Sequence, residues 1–316
     1  MPLALALALF ILSLALTIYA AQTFAHNLDS LGELAGLSER LIGLLSALAA
    51  DAPEIVSALV ALIGGRAAVS AGVLVGASAL NLASMVGLSA LFTGAVLARR
   101  AVVLAEALPA LLAAVLAAAL LSGLLSAPIA ALIGAGAIGA YVLAPGRRGA
   151  RGAHEQAGGR RRPPVRWHGR ALRGELLFIC AALAGIIAGS TGMVQGALAL
   201  GERLQISGAV VAVCLLAPLA SLPNALTGLR FGLAGRGEAL VGEAFHSNAI
   251  NLAVGAIVPA LIVAFGPLPG RMQAALWYLV GASVLCTLLL LPGRGLGRSG
   301  GLMLLALYAG FLAVAL

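Results

Sequence analysis

Ten long apolar runs limit the fold of this chain most narrowly. They fall at residues 2–25, 41–64, 67–98, 101–121, 124–145, 175–200, 207–232, 240–266, 272–292 and 300–316. A helix needs about 20 apolar residues to cross the hydrocarbon core of a bilayer. An unpaired backbone is too costly in lipid, and a membrane barrel would need short strands of alternating polarity. The runs therefore predict an all-α polytopic membrane protein with about ten transmembrane helices.

Composition excludes a soluble globular domain. The chain is 62% hydrophobic and only 9% charged, with a mean hydropathy of +1.09, far from the usual range of soluble proteins. The run 67–98 is longer than one span requires. We expect it to be tilted, broken or partly interfacial.

Two stretches of the chain match each other at a constant offset of 170 residues. Ten of the 34 positions from 50 to 83 are identical to positions 220 to 253, without a gap. The identical residues include Pro53/Pro223, Gly65/Gly235, Arg66/Arg236, Gly72/Gly242 and Asn81/Asn251. Internal repeats in a membrane chain are typical of transporters whose site lies between the two repeats.

The arginines predict the orientation of the helices. All 19 basic residues are arginine, and with the N-terminus outside sixteen of them fall in inner loops. Only Arg66, Arg203 and Arg271 then fall outside, as the positive-inside rule requires. The matched helices cross in opposite directions in this arrangement, so the two repeats are predicted to be inverted.

Domain boundaries follow from the position of the repeats and of the basic segment. We predict a first five-helix membrane repeat at 1–145, a basic cytoplasmic linker at 146–172 and a second, inverted five-helix repeat at 173–316. The charge of the linker favours contact with anionic lipid over nucleic acid. We therefore expect a lipid bilayer and no nucleic acid among the partners, and the sequence implies no protein partner.

Polar side chains recur at helical spacing in the first repeat. Asp51, Glu54 and Ser57 are spaced i, i+3 and i+6 around Pro53, so they are predicted to lie along one side of a helix. Ser78, Asn81 and Ser84 repeat this spacing on the next helix. A carboxylate inside a membrane is costly and usually functional.

The second repeat supplies polar residues at corresponding positions. They are Ser221, Asn224 and Thr227 around Pro223, followed by Glu243, His246, Ser247, Asn248 and Asn251. Oxygen ligands of these kinds suit hard cations such as Na⁺ and Ca²⁺. The predicted cation-binding residues are Glu54, Asp51, Asn81, Asn224, Asn251, Ser57, Thr227, Ser78, Ser221 and Asn248, with Glu54 and Asp51 as the metal-binding carboxylates. Glu243 and His246 are candidate proton carriers.

These motifs resemble the two α-repeats of the calcium/cation antiporter superfamily, which includes the sodium/calcium exchangers. The family pattern is roughly G-[ST]-S-[LI]-P-E-[LV]-x-[TS] on one helix and G-N-x-x-G-S-N-x-x-[ND] on the next. Pro53–Glu54 and Ser221–Leu222–Pro223 match the first part, and Ser78, Asn81, Asn248 and Asn251 match the second. The resemblance implies two inverted five-helix repeats with cations bound at mid-membrane between helices 2, 3, 7 and 8.

The chain also departs from the family pattern at charged positions. Asn224 replaces the acidic residue expected after the second proline, and Asn251 stands where many exchangers have Asp. Asp51 replaces a serine or threonine of the pattern. The predicted charge therefore lies in the first repeat, although the scaffold is symmetric.

The resemblance implies a secondary active cation antiporter that works by alternating access and is not an enzyme. Ca²⁺, Na⁺ or H⁺ are expected as transported ions, with no cofactor. One alternative is a proton-coupled or monovalent-cation exchanger of the same fold that has lost calcium transport. A remote alternative is a membrane-embedded lipid-phosphate enzyme, which would need an arginine or a metal cluster beside the carboxylates. The expected location is the inner membrane of a bacterium, with the N-terminus outside.

Overall fold

The computed structural model describes residues 1–34, 45, 47–143 and 169–316. The helices of its first half are α1 (Leu3–Leu34), α2 (Ala52–Ile63), α3 (Ala67–Asn81), α4 (Ser89–Thr93), α5 (Arg100–Leu121) and α6 (Ala127–Leu143). A π-helical segment, Leu82–Leu88, joins α3 to α4, and a two-residue strand β1 (Ala95–Val96) precedes α5.

The second half contains a similar series of helices. Its helices are α7 (Gly169–Leu204), α8 (Gly208–Val211), α9 (Ala217–Ala220), α10 (Leu222–Leu233), α11 (Gly237–Leu252), α12 (Gly270–Leu290) and α13 (Arg298–Ala315). The π-helical segment Ala212–Leu216 joins α8 to α9, whereas Ala253–Ile257 continues α11 and a 3₁₀ turn, Pro259–Leu261, follows it. Strand β2 (Leu296–Gly297) precedes α13 and pairs antiparallel with β1.

The described helices account for the predicted spans. Seven are long and apolar enough to cross a membrane, and the segments 208–220 and 222–233 form an eighth as a bent pair. Two shorter apolar helices, at 52–63 and 127–136, coincide with the remaining runs. This confirms the predicted all-α membrane fold and agrees with the prediction of about ten spans.

The backbone breaks at one equivalent position in each repeat. Asp51 has φ −86° and ψ −2° just before α2, and Ser221 has φ −84° and ψ 0° just before α10. A proline occupies the first turn of each following helix, where its missing N–H would have no intrahelical partner. At Ser221 the helix axis bends by 49°. The spacing predicted that Asp51 lies on a continuous helix face with Glu54 and Ser57. The structure instead places Asp51 at a helix break.

The turns that follow α2 and α10 also match. Gly65 has φ +72° and Gly235 has φ +69°, in the left-handed region that glycine adopts without a steric penalty. Arg66 and Arg236 then begin α3 and α11 with similar backbone angles. The shared glycine and arginine at offset 170 thus reflect one turn that is used twice.

A π-helical segment follows the shared asparagine at the end of α3 and at the end of α11. Leu82–Leu88 follows Asn81, and Ala253–Ile257 begins two residues after Asn251. Such segments are rare in proteins, and those that occur are often found at functional sites. The long run 67–98 forms one helical span, Ala67–Thr93, that contains the π-helical segment. Its tilt or interfacial position stays a prediction.

Contacts at the helix ends join segments that were predicted to share one side of the membrane. The β1–β2 pair links the loop after α4 to the loop before α13. Arg99 at the start of α5 bonds Glu238 at the start of α11, with Nη2 2.9 Å from Oε2. Absolute orientation stays a prediction. So do the boundaries 1–145, 146–172 and 173–316, because most of the linker lies outside the described residues.

Candidate functional site

The candidate site lies where the two helix breaks meet α3 and α11. Asp51 and Glu54 enter from the break before α2 and its first turn, and both side chains are 0% exposed. Asn224 enters from the first turn of α10 and is also buried. The two breaks bring these side chains together, since Asn224 Nδ2 lies within hydrogen-bond distance of both Asp51 and Glu54.

Asp51 is the centre of the hydrogen-bond network. Its Oδ1 accepts from Asn224 Nδ2 at 2.7 Å and from Ser247 Oγ at 2.6 Å. Ser247 Oγ in turn accepts from Asn81 Nδ2 at 2.7 Å. One carboxylate oxygen is therefore held by residues of α10 and α11, and through Ser247 it is linked to α3.

Residues at offset 170 also contact one another across the site. Asn224 Nδ2 donates to Glu54 Oε1 at 3.1 Å, and Asn248 Nδ2 donates to the backbone carbonyl of Ser78 at 3.1 Å. In a twofold arrangement, equivalent positions meet only near the symmetry axis. The pseudo-twofold axis of the inverted repeats consequently passes through this cluster.

Several buried oxygens of the cluster have no hydrogen-bond partner among the described residues. They are Asp51 Oδ2, Glu54 Oε2, Asn81 Oδ1, Ser78 Oγ and Ser221 Oγ, and both amide atoms of Asn251 share this property. A buried polar atom without a partner costs free energy and calls for an explanation. Carboxylate, amide and hydroxyl oxygens are the donor set that hard cations take. The cluster therefore has the chemistry of a cation site.

Two of the predicted ligands do not join the cluster. Ser57 Oγ donates to the Pro53 carbonyl of its own helix at 2.6 Å, which is ordinary back-bonding by a serine in a helix. Thr227 is only half-buried, one turn beyond Asn224. The binding roles of both residues stay predictions, with less structural support than those of Asp51 and Glu54.

The two candidate proton carriers lie on α11 beside the cluster. Glu243 is near enough to Asp51 to interact electrostatically. His246 Nε2 lies 3.1 Å from Glu106 Oε2 on α5, and the two side chains are 29% and 13% exposed. Glu106 was not among the predicted site residues, because its position about two turns from Arg99–Arg100 favours an interfacial partner over a ligand.

Ser247 was also absent from the predicted ligands, although it bonds Asp51 directly. Its equivalent in the first repeat is Ala77, so comparison of the repeats gave it no support. The family pattern does contain a Gly-Ser-Asn unit at this position, and Ser247–Asn248 preserves two of its residues. That unit was the sequence signal from which Ser247 could have been predicted as a site residue.

Comparison with known proteins identifies the family. The sequence profile described as sodium/calcium exchanger protein matches residues 5–144 and 175–316. The chain belongs to the sodium/calcium exchanger protein family. Both matched ranges flank the basic segment and contain one helix break each. No curated protein is similar enough in sequence to add to this comparison.

Solved structures share the fold. The sodium-calcium exchanger NCX_Mj, soaked with 10 mM Na⁺ and zero Ca²⁺, is 22% identical with a TM-score of 0.62, and the match covers 99% of both chains. The H⁺/Ca²⁺ exchanger CAX is 17% identical with a TM-score of 0.71, over 98% of this chain and 85% of that chain. At these identities the likeness establishes the arrangement of helices and not the ion.

Family membership confirms the resemblance seen in the sequence. The protein is a membrane cation antiporter and not an enzyme, and its substrates are inorganic cations. The lipid-phosphate alternative is thereby set aside. Among the described residues, Asn224 donates a hydrogen bond to Glu54, and neither of the ion pairs found there includes Glu54.

Proposed function

We propose that the protein exchanges Ca²⁺ against Na⁺ or H⁺ at the cluster around Asp51 and Glu54. The observation that carries the proposal is a pair of carboxylates, both 0% exposed, that lie near the axis relating the two repeats. Each keeps one oxygen without a hydrogen-bond partner among the described residues. Oxygens of Ser78, Asn81, Ser221, Asn248 and Asn251 would complete the shell around the ion.

The charge of the pair explains how two fluxes would be coupled. Two ionised carboxylates inside a membrane are too costly to cross between conformations without a counter-charge. One divalent ion or two monovalent ions would neutralise them. Exchange then follows because the site changes conformation only when it is loaded with one cation species or the other.

The symmetric backbone supports alternating access. Each repeat has a helix break, a glycine turn and a π-helical segment at equivalent places. Two inverted copies of one path can open the same site first to one face and then to the other. Movement of the α2–α3 and α10–α11 pairs against the remaining helices would accomplish this.

Ion flux into proteoliposomes tests the proposal. We expect Na⁺-gradient-driven Ca²⁺ uptake by the wild type, and its loss in Glu54→Gln and in Asp51→Asn, because each variant removes one of the two charges. Glu202→Gln is the matched control, since Glu202 is an exposed carboxylate near the end of α7. Flux like the wild type in Glu54→Gln would refute the assignment.

Proton coupling is the second candidate function. The observation that favours it is the contact of His246 Nε2 with Glu106 Oε2 at 3.1 Å, which joins α11 to α5 within the membrane-spanning part of both helices. Transport measured over pH with Na⁺, K⁺, Ca²⁺ and H⁺ gradients separates the candidates. Sodium-dependent Ca²⁺ flux that His246→Ala leaves unchanged would count against proton coupling through this residue.

We further propose that the protein lies in the inner membrane of a bacterium, with its N-terminus outside and the segment 146–172 in the cytoplasm. The arginine distribution supports this orientation. Accessibility of single cysteines introduced near Arg66 and near Arg100 to a membrane-impermeant thiol reagent tests it in a background without the native cysteines. Labelling in intact cells of the cysteine near Arg100 alone would show that the orientation is the opposite one.

A further inference from the structure

One nitrogen atom lies among the oxygens of the candidate site. Asn224 Nδ2 is 2.7 Å from Asp51 Oδ1, 3.1 Å from Glu54 Oε1 and 3.4 Å from Ser247 Oγ. A side-chain amide nitrogen carries two hydrogens and no lone pair for a cation. This atom therefore engages one oxygen of each carboxylate, Asp51 Oδ1 and Glu54 Oε1, from the space between the two groups.

The two carboxylates determine which end of the amide faces them. An amide oxygen in this position would lie against two acceptor groups, whereas the nitrogen gives each of them a hydrogen bond. Hydrogen bonds to charged groups are also stronger than those between neutral groups. The network consequently selects the nitrogen and turns the amide oxygen of Asn224 away from the pair.

The nitrogen lies between the two carboxylates at hydrogen-bond distances, 2.7 Å from Asp51 Oδ1 and 3.1 Å from Glu54 Oε1. A Ca²⁺ ion in its place would draw these oxygens in to about 2.3–2.6 Å. The contrast with Asn251 is informative, because neither of its amide atoms has a hydrogen-bond partner among the described residues. Asn251 can present its oxygen without breaking a bond, and Asn224 cannot.

We infer that the side-chain amide of Asn224 occupies the place of a cation between Asp51 and Glu54 and has to be displaced when a cation binds. This inference rests on the proposed function of the same site. Asn224 is then a specificity-determining residue that weakens cation binding, and not a ligand that strengthens it. An ion that lies between the two carboxylates and is held by both of them has to take the place of the amide.

The direction in which one substitution changes the apparent cation affinity tests the inference. Asn224→Ala removes the amide and leaves its space. We expect the concentration of Ca²⁺ or Na⁺ for half-maximal flux to fall about tenfold, because the net worth of a charged hydrogen bond corresponds to about that factor. Asn224→Leu keeps the volume without the donor, so a cation still finds the space filled. We expect no tightening in this variant.

Binding without transport provides a second measurement. The Ca²⁺- or Na⁺-induced rise in Tm of the purified protein should be larger for Asn224→Ala than for the wild type. Asn27→Ala is the control, since Asn27 donates to the Thr23 carbonyl of its own helix. If Asn224→Ala does not fold, Asn224→Ser takes its place with the same expected direction.

Weaker binding in Asn224→Ala would show that Asn224 is a ligand, and an unchanged half-saturation would show that it is a spectator. Either result overturns the inference and leaves the proposed function intact. Absence of Ca²⁺ and Na⁺ flux in the wild type would instead overturn the proposed function.

Discussion

The two helix breaks have nearly identical backbones and different charges. Asp51 and Ser221 share their φ and ψ to within a few degrees, and a proline follows two residues later in both repeats. The first break carries two carboxylates, Asp51 and Glu54, whereas the second carries Ser221 and Asn224. The fold thus requires the backbone of both copies, but the charge of the site can reside in one copy only.

The largest expected effect comes from moving the charge between the repeats. Glu54→Asn should lower cation flux by about a hundredfold or more, because one of the two buried charges disappears. Adding Asn224→Glu restores a carboxylate at the equivalent position, 3.1 Å away across the axis. We expect the double variant to recover flux to within about tenfold of the wild type.

The flux of both variants and the wild type in proteoliposomes, at equal protein content, checks this expectation. A double variant that is no more active than Glu54→Asn would show that the two breaks are not interchangeable.

The two repeats differ in how tightly the shared glycines of α3 and α11 are packed. A Cβ at Gly72 would lie 2.9 Å from the Ala212 Cβ, whereas a Cβ at Gly242 would meet only Glu106 Cγ at 4.0 Å. Gly72→Ala should therefore destabilise the protein by about 1–3 kcal/mol through overpacking, and Gly242→Ala should have little effect. Thermal unfolding in detergent compares the two, and equal losses would contradict the packing difference.

The hydroxyl one turn beyond each break should matter less. Ser57 donates to its own helix and not to the central cluster. Ser57→Ala is therefore expected to change cation half-saturation by less than about twofold, since the bond it removes is local. Thr227→Val at the equivalent position is the matched variant. A tenfold loss of affinity in Ser57→Ala would restore the serine to the ligand shell.

The smallest expected effect concerns an ion pair that is absent from the equivalent positions of the two repeats. Arg99 and Glu238 bond each other at the ends of α5 and α11, but their equivalents at offset 170 are Pro269 and Ala68. Glu238→Gln should change flux by less than about 1.5-fold at low salt, and the change should vanish at high salt, because exposed pairs are weak and screened. A large, salt-independent change would assign the pair a greater role in closing this face.

The sequence predicted the framework of the site for identifiable reasons. Proline and glycine restrict the backbone locally, so Pro53, Pro223, Gly65 and Gly235 marked the breaks and turns without any tertiary information. The apolar runs predicted the spans, because the bilayer sets their length. Asp51 and Glu54 were predicted because a carboxylate within an apolar run needs a function.

Partners that come from distant helices could not be predicted in the same way. Ser247 has Ala77 as its repeat equivalent, and Glu106 lies on a helix without a motif. Their contacts with Asp51 and His246 depend on how α5, α10 and α11 pack. Sequence spacing describes one helix face and carries no information about the helix opposite.

By itself, the sequence determined a membrane protein of inverted repeats with two carboxylates in the first of them. Hydropathy, arginine distribution and the offset of 170 suffice for this, since each is a property of the chain read in one dimension. Only the tertiary structure decided that Asn224 turns its nitrogen to Asp51 and Glu54 while Ser57 bonds its own helix. The physical reason is that the orientation of a polar side chain depends on which acceptors lie opposite, and packing alone brings those acceptors together.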